Sequence, residues 1–151
     1  MAEVSHVVDA PPEAVFAVLA DGWSYGGWVV GSSHIRAVDE GWPAAGCRIH
    51  HSVGPWPLQL QDETRVVAVE PGRSLSLEAR AWPSGVAAVG LTLVPQDGGA
   101  RTLVRMTEHA VRGPGRLLPS AVQSLLLRPR NSESLARLAD MAVGRHERVQ
   151  S

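Results

Sequence analysis

The chain has 151 residues, 44% of them hydrophobic, which fits one globular domain over residues 1–151 with a substantial core. Its formal net charge is -1, so the overall charge gives no reason to expect binding to nucleic acid or to an anionic membrane. No apolar stretch approaches the roughly 20 residues of a membrane span, no signal-peptide pattern is present, and the single cysteine excludes an internal disulfide, so we expect a cytoplasmic protein.

The first part of the chain predicts one strand followed by short helical segments. Alternating apolar and polar residues over 4–8 indicate the strand. Pro11-Pro12-Glu13 favours the start of a helix, because a proline in the first turn removes no intrahelical hydrogen bond. Asp21-Gly22 ends that helix. Residues 23–31 combine aromatic residues with glycines, and we interpret them as a broken helical turn and loop.

The middle of the chain predicts six further strands joined by tight turns. Their expected ranges are 33–39, 46–53, 58–69, 74–82, 86–95 and 101–111. Glu70-Pro71-Gly72 and Asp97-Gly98-Gly99 have the composition of turns. Such short connections imply an antiparallel meander.

From Leu117 to about Arg145 the apolar period becomes helical. Its first half carries an apolar stripe of four residues, Leu118, Val122, Leu125 and Leu126. Pro129 lies inside the pattern and costs about 3 kcal/mol in a straight helix, so we expect a kink near 125–128 or two abutting helices. One long helix beside one antiparallel sheet cannot bury both surfaces fully. A cavity between them is therefore expected, which points to a small-molecule binder.

Strand periodicity identifies the side chains expected to face the helix. They are Leu75, Leu77, Ala79 and Ala81; Val104, Met106 and Glu108; Leu58, Leu60, Asp62, Thr64 and Val66; and Cys47, Ile49, His51 and Val53. Three ionisable groups thus fall on apolar faces, namely His51, Asp62 and Glu108. Because an unpaired buried charge is costly, three roles stay open: a rim position or structural ion pair, polar lining of a cavity, or acid–base catalysis. A one-residue bulge would reverse any of these assignments.

The expected ligand-binding residues are Trp28, His51, Asp62, Thr64, Leu77, Met106, Glu108 and Leu125. No metal site is predicted, because adjacent His50 and His51 point to opposite faces of a strand and the other histidines show no ligand spacing. No cofactor is expected, since no glycine-rich phosphate loop occurs. We interpret Cys47 as a buried, inert thiol.

Arg130 and Asn131 form a polar pair directly after Pro129 in an otherwise apolar stripe. Such a pair can satisfy a carbonyl freed by the proline or an inward carboxylate such as Glu108. We therefore predict that it anchors the C-terminal helix to the sheet and sets the width of the cavity mouth.

Several motifs in this order resemble the SRPBCC (START-like) superfamily, in its polyketide cyclase/dehydrase-like branch. They include Asp9–Phe16, Trp28-Val29-Val30-Gly31, Asp62-Glu63-Thr64, and Arg130-Asn131 followed by Leu135 and Leu138. The resemblance implies an α+β helix-grip fold, with a seven-stranded antiparallel sheet curved around a long C-terminal helix. It also implies hydrophobic ligands such as lipids or polyketides. It supplies no shared set of catalytic residues.

Three functions follow as hypotheses. The first is binding of a small hydrophobic molecule by a monomer or weak homodimer, without chemistry. The second is an aromatase/cyclase or dehydratase reaction on a polyketide-like carbonyl compound, with Asp62 or Glu108 as general base and His51 as proton donor. The third is a non-catalytic partner or stress-response module whose cavity is vestigial.

Overall fold

One antiparallel sheet of seven strands forms the body of the fold. The computed structural model describes residues 2–30, 32–53, 60–81 and 85–150. Its strands are β1 (Ala2–Val8), β2 (Ser32–Val38), β3 (Arg48–Val53), β4 (Leu60–Glu70), β5 (Ser74–Ala81), β6 (Gly85–Gln96) and β7 (Arg101–Arg112). Their order is β1-β7-β6-β5-β4-β3-β2. The predicted meander from β2 to β7 is confirmed, and β1 pairs with β7 at one edge.

The helices lie before β2 and after β7. α1 (Pro12–Leu19) begins with a proline in its first turn, as predicted, and α2 (Tyr25–Trp28) follows a 3-10 turn. α3 (Ser120–Gln150) is one continuous helix with Pro129 inside it, so the alternative of two abutting helices is wrong. Within the described residues, no helix is both long enough and apolar enough to span a membrane.

The core lies between the sheet, α1 and the C-terminal part of α3. From α3 it includes Leu135, Leu138 and Ala142, which are almost fully buried. α1 contributes Val15 and Val18 to the same cluster. The Arg145 guanidinium donates to the Asp21 carboxylate at 3.0 Å and joins the end of α3 to the segment after α1. These contacts hold the last half of α3 firmly against the rest of the fold.

The first half of α3 differs from the prediction. Val122, Leu125 and Leu126, together with Leu118 just before the helix, form its apolar stripe, and all four side chains are exposed. Burial in α3 begins at Asn131 and continues through Ser134 and Leu135. The helical period was predicted correctly. The residues from Asn131 onward, which are buried, decide which side of the helix faces the sheet.

The predicted strand faces are largely confirmed. Among the residues expected to face the helix, Leu75, Leu77, Val104, Met106, Glu108, Thr64, Val66, Ile49 and His51 are buried, and Ala79 packs against the core. A bulge between Val66 and Ala68 shifts the inward face of β4 to Val69. Cys47 was assigned wrongly, because it precedes β3 in a turn and is partly exposed. Leu58 and the side chains of Val53, Leu60, Asp62 and Ala81 lie outside the described residues.

Candidate functional site

A cavity of about 280 Å³ lies between the inner face of the sheet and α3. Its walls come from the α2 segment, from β3 to β7, and from α3, including Trp28, Leu77, Val89, Met106 and Leu127. Most of this surface is apolar. The first half of α3 contributes Gln123, Leu126, Leu127 and Arg130 to the wall that faces the sheet.

Small side chains on three neighbouring strands provide the space. Ala79 of β5 pairs with Ala87 of β6, and Ala87 pairs with Ala110 of β7. All three alanines line the cavity. Larger residues at these positions would reach toward α3 and fill the volume, because inward side chains of neighbouring strands stand side by side. The row of alanines therefore explains why this part of the interior is not packed solid.

Gly85 begins β6 at the edge of the same cavity. Its φ is +109°, a conformation that L residues with a side chain rarely adopt. A Cβ atom there would lie 1.9 Å from the carbonyl oxygen of Arg112. Glycine at this position thus lets the start of β6 and the end of β7 approach closely.

One polar group of the cavity wall consists of Tyr25, Thr64 and His51. His51 Nε2 lies 2.9 Å from Thr64 Oγ1, and the Tyr25 hydroxyl lies 3.2 Å from the same oxygen. The Tyr25 ring also stacks on the His51 ring at 5.6 Å and meets Trp28 edge-on at 5.5 Å. Burial raises the pKa of the Tyr25 phenol to about 12, so the hydroxyl keeps its proton at neutral pH.

A second polar group joins β7 to α3. The Arg130 guanidinium and the Asn131 amide both donate to Glu108 Oε1, at 2.5 Å and 2.9 Å. The Glu108 side chain is only 7% exposed, whereas that of Arg130 is 41% exposed and lies at the cavity mouth. The predicted contact between the polar pair after Pro129 and Glu108 is therefore confirmed. All three residues line the cavity.

The α2 segment closes one side of the cavity. The backbone N–H of Val30 donates to Ser134 Oγ at 3.0 Å, which fastens this segment to α3. Trp28 is 2% exposed, and its ring contributes to both the core and the cavity wall. The broken helical turn predicted for residues 23–31 thus corresponds to a short helix that presents two aromatic rings inward.

Six of the eight residues proposed for ligand contact line the cavity: Trp28, His51, Thr64, Leu77, Met106 and Glu108. The side chain of Asp62 lies outside the described residues, although its backbone pairs with His51 across β3 and β4. Leu125 was placed wrongly, since it is 73% exposed. Leu127, two residues and about 200° further around the helix, faces the cavity instead.

Tyr25 and the two alanines of β6 and β7 were not singled out from the sequence. Tyr25 lies three residues before Trp28, a spacing that places both rings on one side of a helical turn. The alanines at 87 and 110 give no chemical signal of their own. Their role emerges only from the register that aligns them with Ala79.

His50 and His51 point to opposite faces of β3, as predicted. His50 Nε2 lies 3.2 Å from Asp39 on the outer face, while His51 faces the cavity. Among the described residues, no three His, Cys, Asp or Glu side chains converge in a way that could hold a metal ion. The cavity therefore combines apolar walls with neutral hydroxyls, a histidine and one carboxylate–guanidinium pair.

Comparisons with known proteins agree with this architecture. A family model described as "Polyketide cyclase / dehydrase and lipid transport" matches residues 1–142. A solved structure from Rhodobacter sphaeroides shares 23% identity at a TM-score of 0.71, covering 94% of this chain and 91% of that chain. One from Nitrosomonas europaea shares 15% identity at a TM-score of 0.69, covering 95% of this chain and 94% of that chain.

A START superfamily protein from Mycobacterium smegmatis is also similar. It shares 18% identity at a TM-score of 0.64, with 97% of each chain covered. At these identities, the similarity to solved structures establishes the shared helix-grip fold and no more. A comparison with curated proteins finds no match.

Proposed function

The chain belongs to the polyketide cyclase/dehydrase and lipid transport family of the SRPBCC (START-like) superfamily, and we propose on this premise that it binds a small, largely apolar molecule carrying a polar group. Family and fold both favour a ligand-binding protein. The observation that carries the finer proposal is the cavity beneath α3, with its row of alanines and its two polar groups.

The size of the cavity limits the ligand. Its volume of about 280 Å³ lies near the lower bound of about 300 Å³ for small-molecule sites. It is also roughly twice the ~150 Å³ of an apolar cavity that holds one benzene-sized molecule. A compact body of about two fused rings, or a short branched chain, fits better than an extended lipid chain held entirely inside.

The polar residues of the wall limit the chemistry. The Tyr25 hydroxyl and Thr64 Oγ1 lie on one side, and Glu108 with Arg130 and Asn131 on the other. A ligand hydroxyl can donate to the Glu108 carboxylate, and a ligand carbonyl can accept from the Arg130 guanidinium, which has five N–H donors. Because a buried polar group without a partner costs free energy, a pure hydrocarbon would bind less well than its hydroxylated analogue.

Fluorescence titration with 2-naphthol, alongside naphthalene, tests this proposal. We expect saturable binding of one equivalent of 2-naphthol, and at least about tenfold weaker binding of naphthalene, since one good hydrogen bond to a charged group contributes that factor. Native mass spectrometry of gently purified protein should also detect a bound small molecule. Failure of both measurements to show any stoichiometric ligand would reject the proposal.

Catalysis of proton transfer on a carbonyl compound is a second candidate. It is favoured by one observation: His51 and Glu108, an acid–base pair of types common in catalysis, line the same cavity and are both buried. The hydrogen bonds of Glu108 are made through Oε1, and Oε2 has no hydrogen-bond partner among the described residues. That oxygen can therefore accept a proton from a substrate carbon beside a carbonyl group.

Hydrogen–deuterium exchange on a ketone separates the two candidates. 2-Acetylnaphthalene in deuterated water exchanges its methyl hydrogens when a base forms the enolate, and proton NMR follows the loss of signal. An enzyme should accelerate this exchange, and Glu108→Gln should abolish the acceleration. If 2-naphthol binds but the exchange proceeds at the rate of buffer, the protein acts as a binder on this class of compound.

A further inference from the structure

Five large apolar side chains are exposed where the cavity opens: Leu117, Leu118, Val122, Leu125 and Leu126, which we call the mouth stripe. Leu117, Leu125 and Leu126 are 81%, 73% and 61% exposed. Val122, Leu125 and Leu126 lie on one side of α3, at positions i, i+3 and i+4, and Leu117 and Leu118 directly precede the helix. A group of large apolar side chains exposed together in this way marks a surface that contacts another molecule.

The mouth stripe is continuous with the cavity. Leu118 and Leu126 belong to both, because they line the opening as well as the outer surface. Any body that covers the stripe therefore also lies against the entrance. The occupant must accept leucine side chains and must be compatible with the charges around them.

The charged residues inside the segment that carries the mouth stripe are all positive, and Glu133, which follows it on α3, is paired with Arg137 at 3.2 Å. Residues 109–132 contain four arginines, at 112, 116, 128 and 130, and no aspartate or glutamate. The rest of the chain then holds ten basic residues (14 - 4) and fifteen acidic ones, a balance of -5. The net charge of -1 thus conceals a segment of +4 that carries the whole mouth stripe. The overall charge, from which no attraction to an anionic membrane was expected, does not describe this surface.

Among the described residues, two of these arginines have carboxylate partners and two do not. Arg130 bonds Glu108, and Arg112 bonds Glu78 at 3.3 Å. Arg116 and Arg128 are exposed, and neither contacts a carboxylate within the part of the chain that the structure describes. Both are available to a negatively charged surface.

We propose that the mouth stripe docks on an anionic lipid bilayer, with its leucines at the boundary between headgroups and acyl chains and Arg116 and Arg128 among the phosphates. Exposed leucines flanked by basic residues, here on the first turns of α3 and the segment before it, are typical of segments that lie in the membrane interface. A second copy of the chain fits this surface less well, because a two-fold contact would bring the arginines of both copies together. The proposal is independent of whether a ligand occupies the cavity.

Co-sedimentation with phosphatidylcholine vesicles, with and without phosphatidylglycerol, tests the proposal. We expect binding to the anionic vesicles, much weaker binding to pure phosphatidylcholine, and loss of binding as salt is raised. Arg116→Gln and Arg128→Gln should each weaken binding about fivefold, the contribution of one basic residue at an anionic surface. Arg105→Gln, an exposed arginine on the outer face of β7, is the matched control and should change little.

A second pair of variants tests how much the apolar side chains contribute to vesicle binding. Leu125→Glu should weaken vesicle binding by at least about tenfold, because it removes a leucine side chain that the bilayer would bury and adds a negative charge that the anionic surface repels. Val67→Glu makes the same change in charge at an apolar residue that is 49% exposed in β4, and it should bind like the parent. Both sites are exposed, so both variants are expected to fold, which circular dichroism checks.

Three results would overturn the proposal. The first is no binding to anionic vesicles at any salt concentration. The second is an equal loss for Leu125→Glu and Val67→Glu, which would mean that net charge alone controls binding. The third is a dimer in sedimentation velocity that Leu125→Glu dissociates while vesicles bind neither protein, which would assign the mouth stripe to a second copy.

Discussion

Replacing Arg130 by alanine should destabilise the protein by about 1–2 kcal/mol, because the variant leaves Glu108 with one donor in place of two. The loss of one partner of a fully buried ion pair costs about 3–5 kcal/mol. Arg130, however, is 41% exposed, and water can enter at the cavity mouth to solvate the remaining carboxylate. We therefore place the cost well below that range.

Urea denaturation at neutral pH measures the change, and a shift in melting temperature of about 2–4 °C per kcal/mol should accompany it. Arg137→Ala is the control on the same helix. It breaks an exposed pair with Glu133 at 3.2 Å, so it should cost less than about 0.5 kcal/mol. Glu108→Gln supplies the second arm of a double-mutant cycle, since it removes the charge that Arg130 neutralises.

If Arg130→Ala costs the same stability in the Glu108→Gln background as in the parent, the two side chains are not coupled. An Arg130→Ala variant that unfolds like the parent but no longer binds 2-naphthol would also contradict the prediction. That second outcome would make Arg130 a ligand contact without an anchoring role.

Two further predictions concern the cavity wall. Tyr25 is the only tyrosine in the chain, so ultraviolet titration should give one midpoint near the raised pKa of about 12 in the native protein and near 10 in guanidinium. Because the pKa of the phenol is higher in the folded state, ionisation of Tyr25 destabilises the fold. Its contribution to the free energy of unfolding should be fully present below pH 10 and should be lost between pH 10 and 12. A midpoint near 10 in the native protein would contradict the buried phenol. Gly85→Ala should cost about 2 kcal/mol or more, since its Cβ would meet the Arg112 carbonyl, whereas Gly72→Ala, with a φ of +76° and open space around it, should cost only about 1 kcal/mol. Equal costs at the two glycines, measured by urea denaturation, would show that backbone conformation alone matters.

Much of the fold could be predicted because its local signals agree with one another. Alternation within strands, glycine-containing turns and the proline at the start of α1 all specify the same meander, and strand faces followed from a period of two. The bulge in β4 shifted one inward position from Ala68 to Val69, a change that no alternation pattern reveals.

The candidate site was harder to predict for two physical reasons. Leu125 was expected to contact a ligand because apolar helix residues usually face the interior, whereas it is 73% exposed. A helical period shows that one side of a helix is apolar, but it does not show what that side contacts. The cavity depends on Ala79, Ala87 and Ala110 meeting across three strands, which is a property of register.

The polar contacts followed more directly from the sequence. An inward carboxylate at Glu108 needed a partner, and the pair after Pro129 was the nearest candidate on the last helix. The structure places Arg130 and Asn131 on Glu108 Oε1. The contact between Tyr25 and Thr64 could not be predicted, because it depends on the position of α2. The glycines around Tyr25 allow many backbone conformations, so the sequence does not specify that position.

A pair of variants on one strand tests whether a ligand occupies the cavity. Ala87→Phe places a ring in the cavity, while Ala88→Phe places the same ring on the outer face of β6, opposite Glu78. The measurement is a fluorescence titration of each folded variant with 2-naphthol. We expect Ala87→Phe to lose binding and Ala88→Phe to bind like the parent. Unchanged binding by Ala87→Phe would contradict a ligand site between the sheet and α3.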